Sequence, residues 1–138
     1  MIQKFLLFIA PHLLKLVMKV RWHGFEDFEI YGQPVITAPN HIGRLDAIIP
    51  LMRPEVTRHP NLVVIVAEKY QESRILNWLV TTLGWMFIDR YNSDLRTTRE
   101  VVRRVQANGF LTISPSGTRS ASGAPLEATL GPAYVAAT

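Results

Sequence analysis

Leu62-Val63-Val64-Ile65-Val66-Ala67 is an unbroken apolar run rich in β-branched residues. A strand of this kind has no face to offer water, so it must lie in a sheet covered on both sides. The neighbouring segments supply the cover. Residues 72–83 carry apolar side chains at helical spacing (Ile75, Leu76, Leu79, Val80, Leu83) and stop at Gly84. Trp85-Met86-Phe87-Ile88 reads as the next strand. Asn92-Ser93-Asp94 offers N-cap residues for a helix to about Ala107, ended by Asn108-Gly109. In that helix Val101, Val102 and Val105 form a buried side, and Arg96, Arg99, Arg103 and Arg104 a solvated one. Phe110-Leu111-Thr112-Ile113 is a further strand, and a last helix begins near Gly131. Upstream, Phe25 to Tyr31 alternates weakly, as an edge strand does, and turns at Gly32-Gln33-Pro34. Residues 35–39 read as a strand, and 45–53 as a short helix ended by Pro54. Strands alternating with helices predict an α/β fold, a mostly parallel sheet with flanking helices. At 138 residues there is material for one core, and no repeat or linker divides it.

The charge is concentrated at one end. Residues 1–23 carry Lys4, Lys15, Lys19 and Arg21 with no acid, whereas residues 24–138 balance eleven basic against eleven acidic side chains. The pI near 9.8 is thus a property of the N-terminal segment, which argues against a nucleic-acid partner, since that would need basic residues spread over a folded face. There is no cysteine. Disulfides, thiolate metal sites and a cysteine nucleophile are thereby excluded.

The segment 1–23 is apolar but interrupted by Pro11, His12 and Lys15, short of the roughly 20 continuous apolar residues a bilayer span needs. No small-x-small cleavage site follows it. Two short helices, or one kinked at Pro11, would lie in the headgroup region with Lys4, Lys15 and Lys19 toward anionic lipid. The plainer reading is a helix packed on the core with solvated lysines. The expected organisation is a membrane-associating segment over 1–23 and an α/β domain over 24–138, peripheral or monotopic on the cytoplasmic face.

Three polar clusters fall at strand ends, where α/β folds build their sites. The first is Asn40-His41-Ile42-Gly43-Arg44-Leu45-Asp46. A carboxylate beside an imidazole fixes its tautomer and stabilises the imidazolium, leaving the other nitrogen to take a proton from a hydroxyl. On one continuous helix, five residues would set the two side chains about 140° apart, so His41 must sit on the turn and Asp46 near the helix start. The second cluster is Asp89-Arg90. The third, Ser114-Pro115-Ser116-Gly117-Thr118-Arg119-Ser120, combines hydroxyls, backbone donors and a guanidinium, the parts that grip a phosphate where no nucleotide loop exists. Taken singly, each has a plainer reading: a structural histidine, a surface ion pair, a polar turn. His12, His23 and His59 show no ligand spacing with His41, so no metal is expected.

The order Asn40-His41…Asp46, Gly84-Trp85-Met86-Phe87-Ile88-Asp89-Arg90, Pro115-Ser116-Gly117-Thr118-Arg119-Ser120 resembles the glycerolipid acyltransferases, with 1-acylglycerol-3-phosphate (lysophosphatidic acid) acyltransferases the nearest type. The resemblance runs from about Phe25 onward. It implies that His41, oriented by Asp46 in a His-x4-Asp motif, deprotonates an acceptor hydroxyl that attacks an acyl thioester. It implies a phosphate clamp of Arg90, Ser116, Gly117, Thr118 and Arg119, with Lys69 facing the same phosphate. No cofactor is implied beyond acyl-CoA or acyl-carrier protein as co-substrate; the partners are an anionic membrane surface, the thioester donor and a lysophospholipid acceptor.

Two departures bear on this. The third motif has Ser116 where the family has glutamate, and Ser114 where an aromatic is common. The family's fourth motif, an apolar Pro-containing strand, is absent, so the domain is expected to be C-terminally incomplete. A non-catalytic relative that binds phospholipid or phosphate is therefore the alternative. A hydrolase using His41 and Asp46 to activate water is a weaker third.

Overall fold

The computed structural model describes residues 2–24, 29–43, 46–89, 91–92, 94–124 and 126–138. Four strands, β1 (Val35–Thr37), β2 (Leu62–Ala67), β3 (Met86–Ile88) and β4 (Phe110–Thr112), form one sheet in the order β1-β4-β2-β3, with every pairing parallel. The α/β class read from the sequence is the observed one. The sheet stays in register through Val35, Phe110 and Leu62 in one row and Ile36, Leu111 and Val63 in the next. Successive rows face opposite sides, so each row feeds a different core.

On one side Val35 and Phe110 pack with Ile30 and with Val56 of α2 (Pro54–Thr57). On the other, Val63 and Leu111 meet Val101 and Val105 of α4 (Leu95–Gln106) and Val135 of α5 (Leu130–Ala137). Parallel crossovers are right-handed. Because β3 to β4 runs back across the sheet, its helix α4 lies on the face opposite that of α3 (Arg74–Thr82), which joins β2 to β3. Burial on both faces explains the uninterrupted apolar run of β2.

Local signals set most boundaries. Ser73 caps α3 by accepting from the Leu76 N–H, and Asp94 caps α4 by accepting from the Thr97 N–H at 2.9 Å. Asn108 takes the left-handed φ of 57° that ends α4. The last carbonyls of α4 are met from afar: Asn61 Nδ2 donates to Arg104 O at 2.7 Å and Ala107 O at 3.1 Å.

Three readings need correction. The strand expected over 35–39 ends at Thr37, because Pro39 has no N–H to give a ladder. The short helix expected over 45–53 is a 3-10 helix, Asp46–Met52, with Pro50 inside it, and Pro54 beyond its end also opens α2, where a missing N–H costs nothing. The edge strand proposed from Phe25 falls partly on residues 25–28, outside the described residues, and Glu29, Ile30 and Tyr31 are not in a strand.

Of the two arrangements expected for the N-terminal segment, a single helix forms: α1 (Ile2–Val17) runs through Pro11. It packs on the 3-10 helix and on α2, with Pro11 buried and Gln3 Nε2 donating to Leu83 O at 2.9 Å. Its other side leaves Ile2, Phe5, Phe8, Leu13, Leu16 and Val17 exposed. Among the described residues no helix is long and apolar enough to cross a membrane.

Candidate active site

Because all four strands are parallel, their C-terminal ends share one edge, and every polar cluster singled out in the sequence follows one of them. Sheet order then decides the neighbours. β4 is inserted between β1 and β2, so the loop after β4 lies beside the His41 turn after β1, while Lys69 and Asp89 follow the adjacent strands β2 and β3.

The His41 turn and the 114–120 loop are tied directly. The Ser120 N–H donates to His41 O at 2.8 Å, and Ser120 is buried. Asn40, His41, Ile42, Ser114, Pro115, Ser116 and Ser120 are among the residues lining one cleft of about 50 Å³. That is room for a hydroxyl or a water, with the acyl chain left to lie outside it. His41 itself is half-buried on its wall.

Asp46 does something the spacing did not foretell. Its Oδ2 accepts from the Ile42 N–H at 2.7 Å and the Gly43 N–H at 2.6 Å, and it makes no hydrogen bond to the His41 ring. The Gly43 N–H, then the Ile42 N–H, and last the nearby charge of His41 hold the carboxyl below its ordinary value, so at neutral pH it is an anion. It clamps the turn that carries the histidine and sets a negative charge beside it. Gly43 is required for this: a Cβ there would stand 2.8 Å from Asp46 Oδ1. Gly43→Ala is expected to displace the carboxylate and lower stability by about 1–3 kcal/mol, the worth of hydrogen bonds to a charged acceptor. Thermal unfolding reads this.

The pH dependence of that clamp has a definite sign. A carboxyl whose folded pKa is depressed contributes stability that is complete above its unfolded pKa and is lost as pH falls through the folded one. The stability difference between the wild type and Asp46→Asn should be flat above about pH 4, near the unfolded aspartate value, and narrow below it. Urea unfolding at a series of pH values measures this.

The 114–120 loop is shaped by its own hydroxyls. Ser116 Oγ donates to Thr118 O at 2.8 Å and lies 3.2 Å from Ser114 Oγ. Gly117 sits at φ 62°, a left-handed turn, with its N–H on Ser114 O at 3.0 Å, and the Thr129 N–H closes on Pro115 O at 2.8 Å. Thr118 and Arg119 are exposed. Arg119 carries the only charge in the sequence between Arg104 and Glu127. Ser114 and Ser116 therefore brace the loop against each other.

Lys69 belongs to a second and larger cavity of about 520 Å³ over the ends of β2 and β3, walled by Glu68, Gln71, Glu72, Asp89 and Tyr91 and floored by Ala67 and Ile88. It is the roomier space, and the histidine lies in the smaller cleft. Asp89 accepts from the N–H groups of Tyr91 and Asn92 and so holds the turn after β3; those bonds, Tyr91 first, lower its carboxyl. Arg90 lies outside the described residues. The sequence therefore named residues at both cavities, and the structure groups His41 with Ser116, and Lys69 with Asp89. Ser120 as a link, and Glu72 and Tyr91 as cavity walls, were missed because they depend on which strands are neighbours.

His59 is buried for structural reasons. Its Nδ1 accepts from the Asn61 N–H at 3.2 Å, which leaves Nε2 as the donor to Ile30 O at 2.9 Å, and its ring stacks on Tyr31.

A family model described as Acyltransferase matches residues 19–138. No curated protein and no solved structure matches the chain.

Proposed function

We propose, since this chain belongs to the acyltransferase family, that it moves a fatty acyl group from an acyl thioester to the hydroxyl of a lysophospholipid acceptor, 1-acylglycerol-3-phosphate by preference. The observation that carries the reading is the Ser120 N–H···O His41 backbone bond at 2.8 Å, which ties the turn that carries the histidine to a loop rich in anion-binding groups. An acceptor whose phosphate rests on Gly117, Thr118 and Arg119 would bring its hydroxyl toward His41.

In this mechanism an imidazole nitrogen of His41 takes the hydroxyl proton as the oxygen attacks the thioester carbonyl carbon. The tetrahedral intermediate collapses with cleavage of the C–S bond, and the imidazolium returns its proton to the departing thiolate. Ionised Asp46 stabilises the imidazolium through space and, through the Ile42 and Gly43 N–H groups, keeps the turn in shape. No acyl-enzyme is formed. Lys69 and Arg90 would add positive charge to the phosphate clamp, and acyl-CoA or acyl-carrier protein would supply the thioester. The enzyme would work at the membrane surface, where its acceptor resides, on the cytoplasmic face.

The second reading, a relative that binds phosphate-bearing lipid without catalysis, draws on the missing ring-to-carboxylate bond and on Ser116. Thiol release from an acyl-CoA separates the two, and the cysteine-free chain adds no background to a thiol reagent. Release that requires 1-acylglycerol-3-phosphate supports transfer. Release without acceptor makes the protein a hydrolase, and lipid binding with no release makes it a binding protein.

A further inference from the structure

We propose that α3 is a second lipid-contacting element, continuing the exposed face of α1, and that the occupant of this joint surface is an anionic bilayer. The inference rests on the membrane-surface reading above and extends it to residues outside the N-terminal segment. Ile75 is 77% and Trp78 54% exposed on α3, three residues apart and thus on one side of the helix, while Val80 turns inward. Isolated exposed apolar residues need no explanation, but these adjoin others.

Gln3 of α1 donates to Leu83 O at the end of α3, so the two helices touch there. At about 100° per residue, Gln3 and the pair Lys4 and Lys15 lie on opposite flanks of the apolar face formed by Phe5, Leu13 and Leu16, and Lys19 follows the helix end. The order around α1 is therefore lysines, apolar face, then α3. Neither helix bears an acidic residue, and α3 opens with the exposed Arg74. An apolar surface on two helices whose only charged side chains are cations suits an anionic lipid headgroup layer with acyl chains beneath it. Tryptophan, which has an apolar body and a polar N–H, fits the depth where the two meet.

The absence of cysteine allows each position to be probed alone. Phe5→Cys, Ile75→Cys and Arg99→Cys would each be labelled with an environment-sensitive fluorophore and mixed with vesicles of equal parts phosphatidylcholine and phosphatidylglycerol. Arg99 is exposed on α4, on the other face of the sheet. Blue shifts at 5 and 75 but not at 99 are expected, together with a loss of vesicle affinity of about tenfold in Trp78→Ala, the scale of withholding one large apolar side chain from lipid. A shift at 5 without one at 75 overturns the role of α3 and leaves the membrane reading standing. No shift anywhere overturns both, and shifts at all three positions mean insertion without this orientation, which also overturns the proposal.

Discussion

His41→Ala is expected to lower the rate of thioester-dependent acyl transfer by about 10²–10⁴-fold, the range a positioned general base contributes, while leaving the unfolding midpoint nearly unchanged. The asymmetry follows from where the side chain sits. The His41 backbone, not its ring, receives the Ser120 N–H, and the ring makes no hydrogen bond to the Asp46 carboxylate that clamps the turn. Truncation therefore removes the base and leaves both ties in place. Asp46 variants should behave differently, because that carboxylate holds the turn as well as the local charge. Loss of rate in His41→Ala at constant stability, against loss of both in Asp46→Ala, would separate a chemical role from a positioning one. Steady-state rates paired with thermal melts on the same samples make the comparison.

Phe110→Ala is expected to cost about 3–5 kcal/mol of stability, the range for emptying a buried aromatic site. Phe110 is 1% exposed and stands in the sheet row between Val35 and Leu62, with Val56 and Ile30 above it and the His59 ring 5.9 Å away. Its N–H also reaches Asn61 O at 3.0 Å, so the residue anchors the strand that delivers the 114–120 loop. Against a total of about 5–15 kcal/mol for a single domain, that loss is a large share of what keeps the chain folded. Urea unfolding followed by far-UV circular dichroism would show the midpoint falling with an unchanged slope. A midpoint at the wild-type value would mean that this face of the sheet is not the core described here.

The strands and helices were legible where burial wrote a pattern. The run at 62–67 had to meet apolar groups on both faces, and Val63 is buried on one while Leu62 packs on the other; the valines of α4 had to face inward, and Val101 and Val105 do. The cap at Asp94 was among the residues that side-chain chemistry offered, whereas the cap at Ser73 was not read from the sequence. Strand order was not legible, because no local signal says that β4 enters between β1 and β2, and that insertion decides which polar clusters become neighbours. The partner of Asp46 was hidden for a related reason. Spacing brings a carboxylate near a histidine but does not choose between the ring and the two backbone donors of the same turn. The docking of α1 was likewise beyond periodicity, since Phe5 and Pro11 differ in burial only because one side of the helix meets α2.

The most direct test of the central claim is to incubate the protein with an acyl-CoA and 1-acylglycerol-3-phosphate in detergent micelles and identify the lipid product by mass. The account predicts a diacylglycerol phosphate carrying the donor's chain, formed only when both substrates are present. Free fatty acid in its place, or unchanged acceptor bound to the protein, would contradict it.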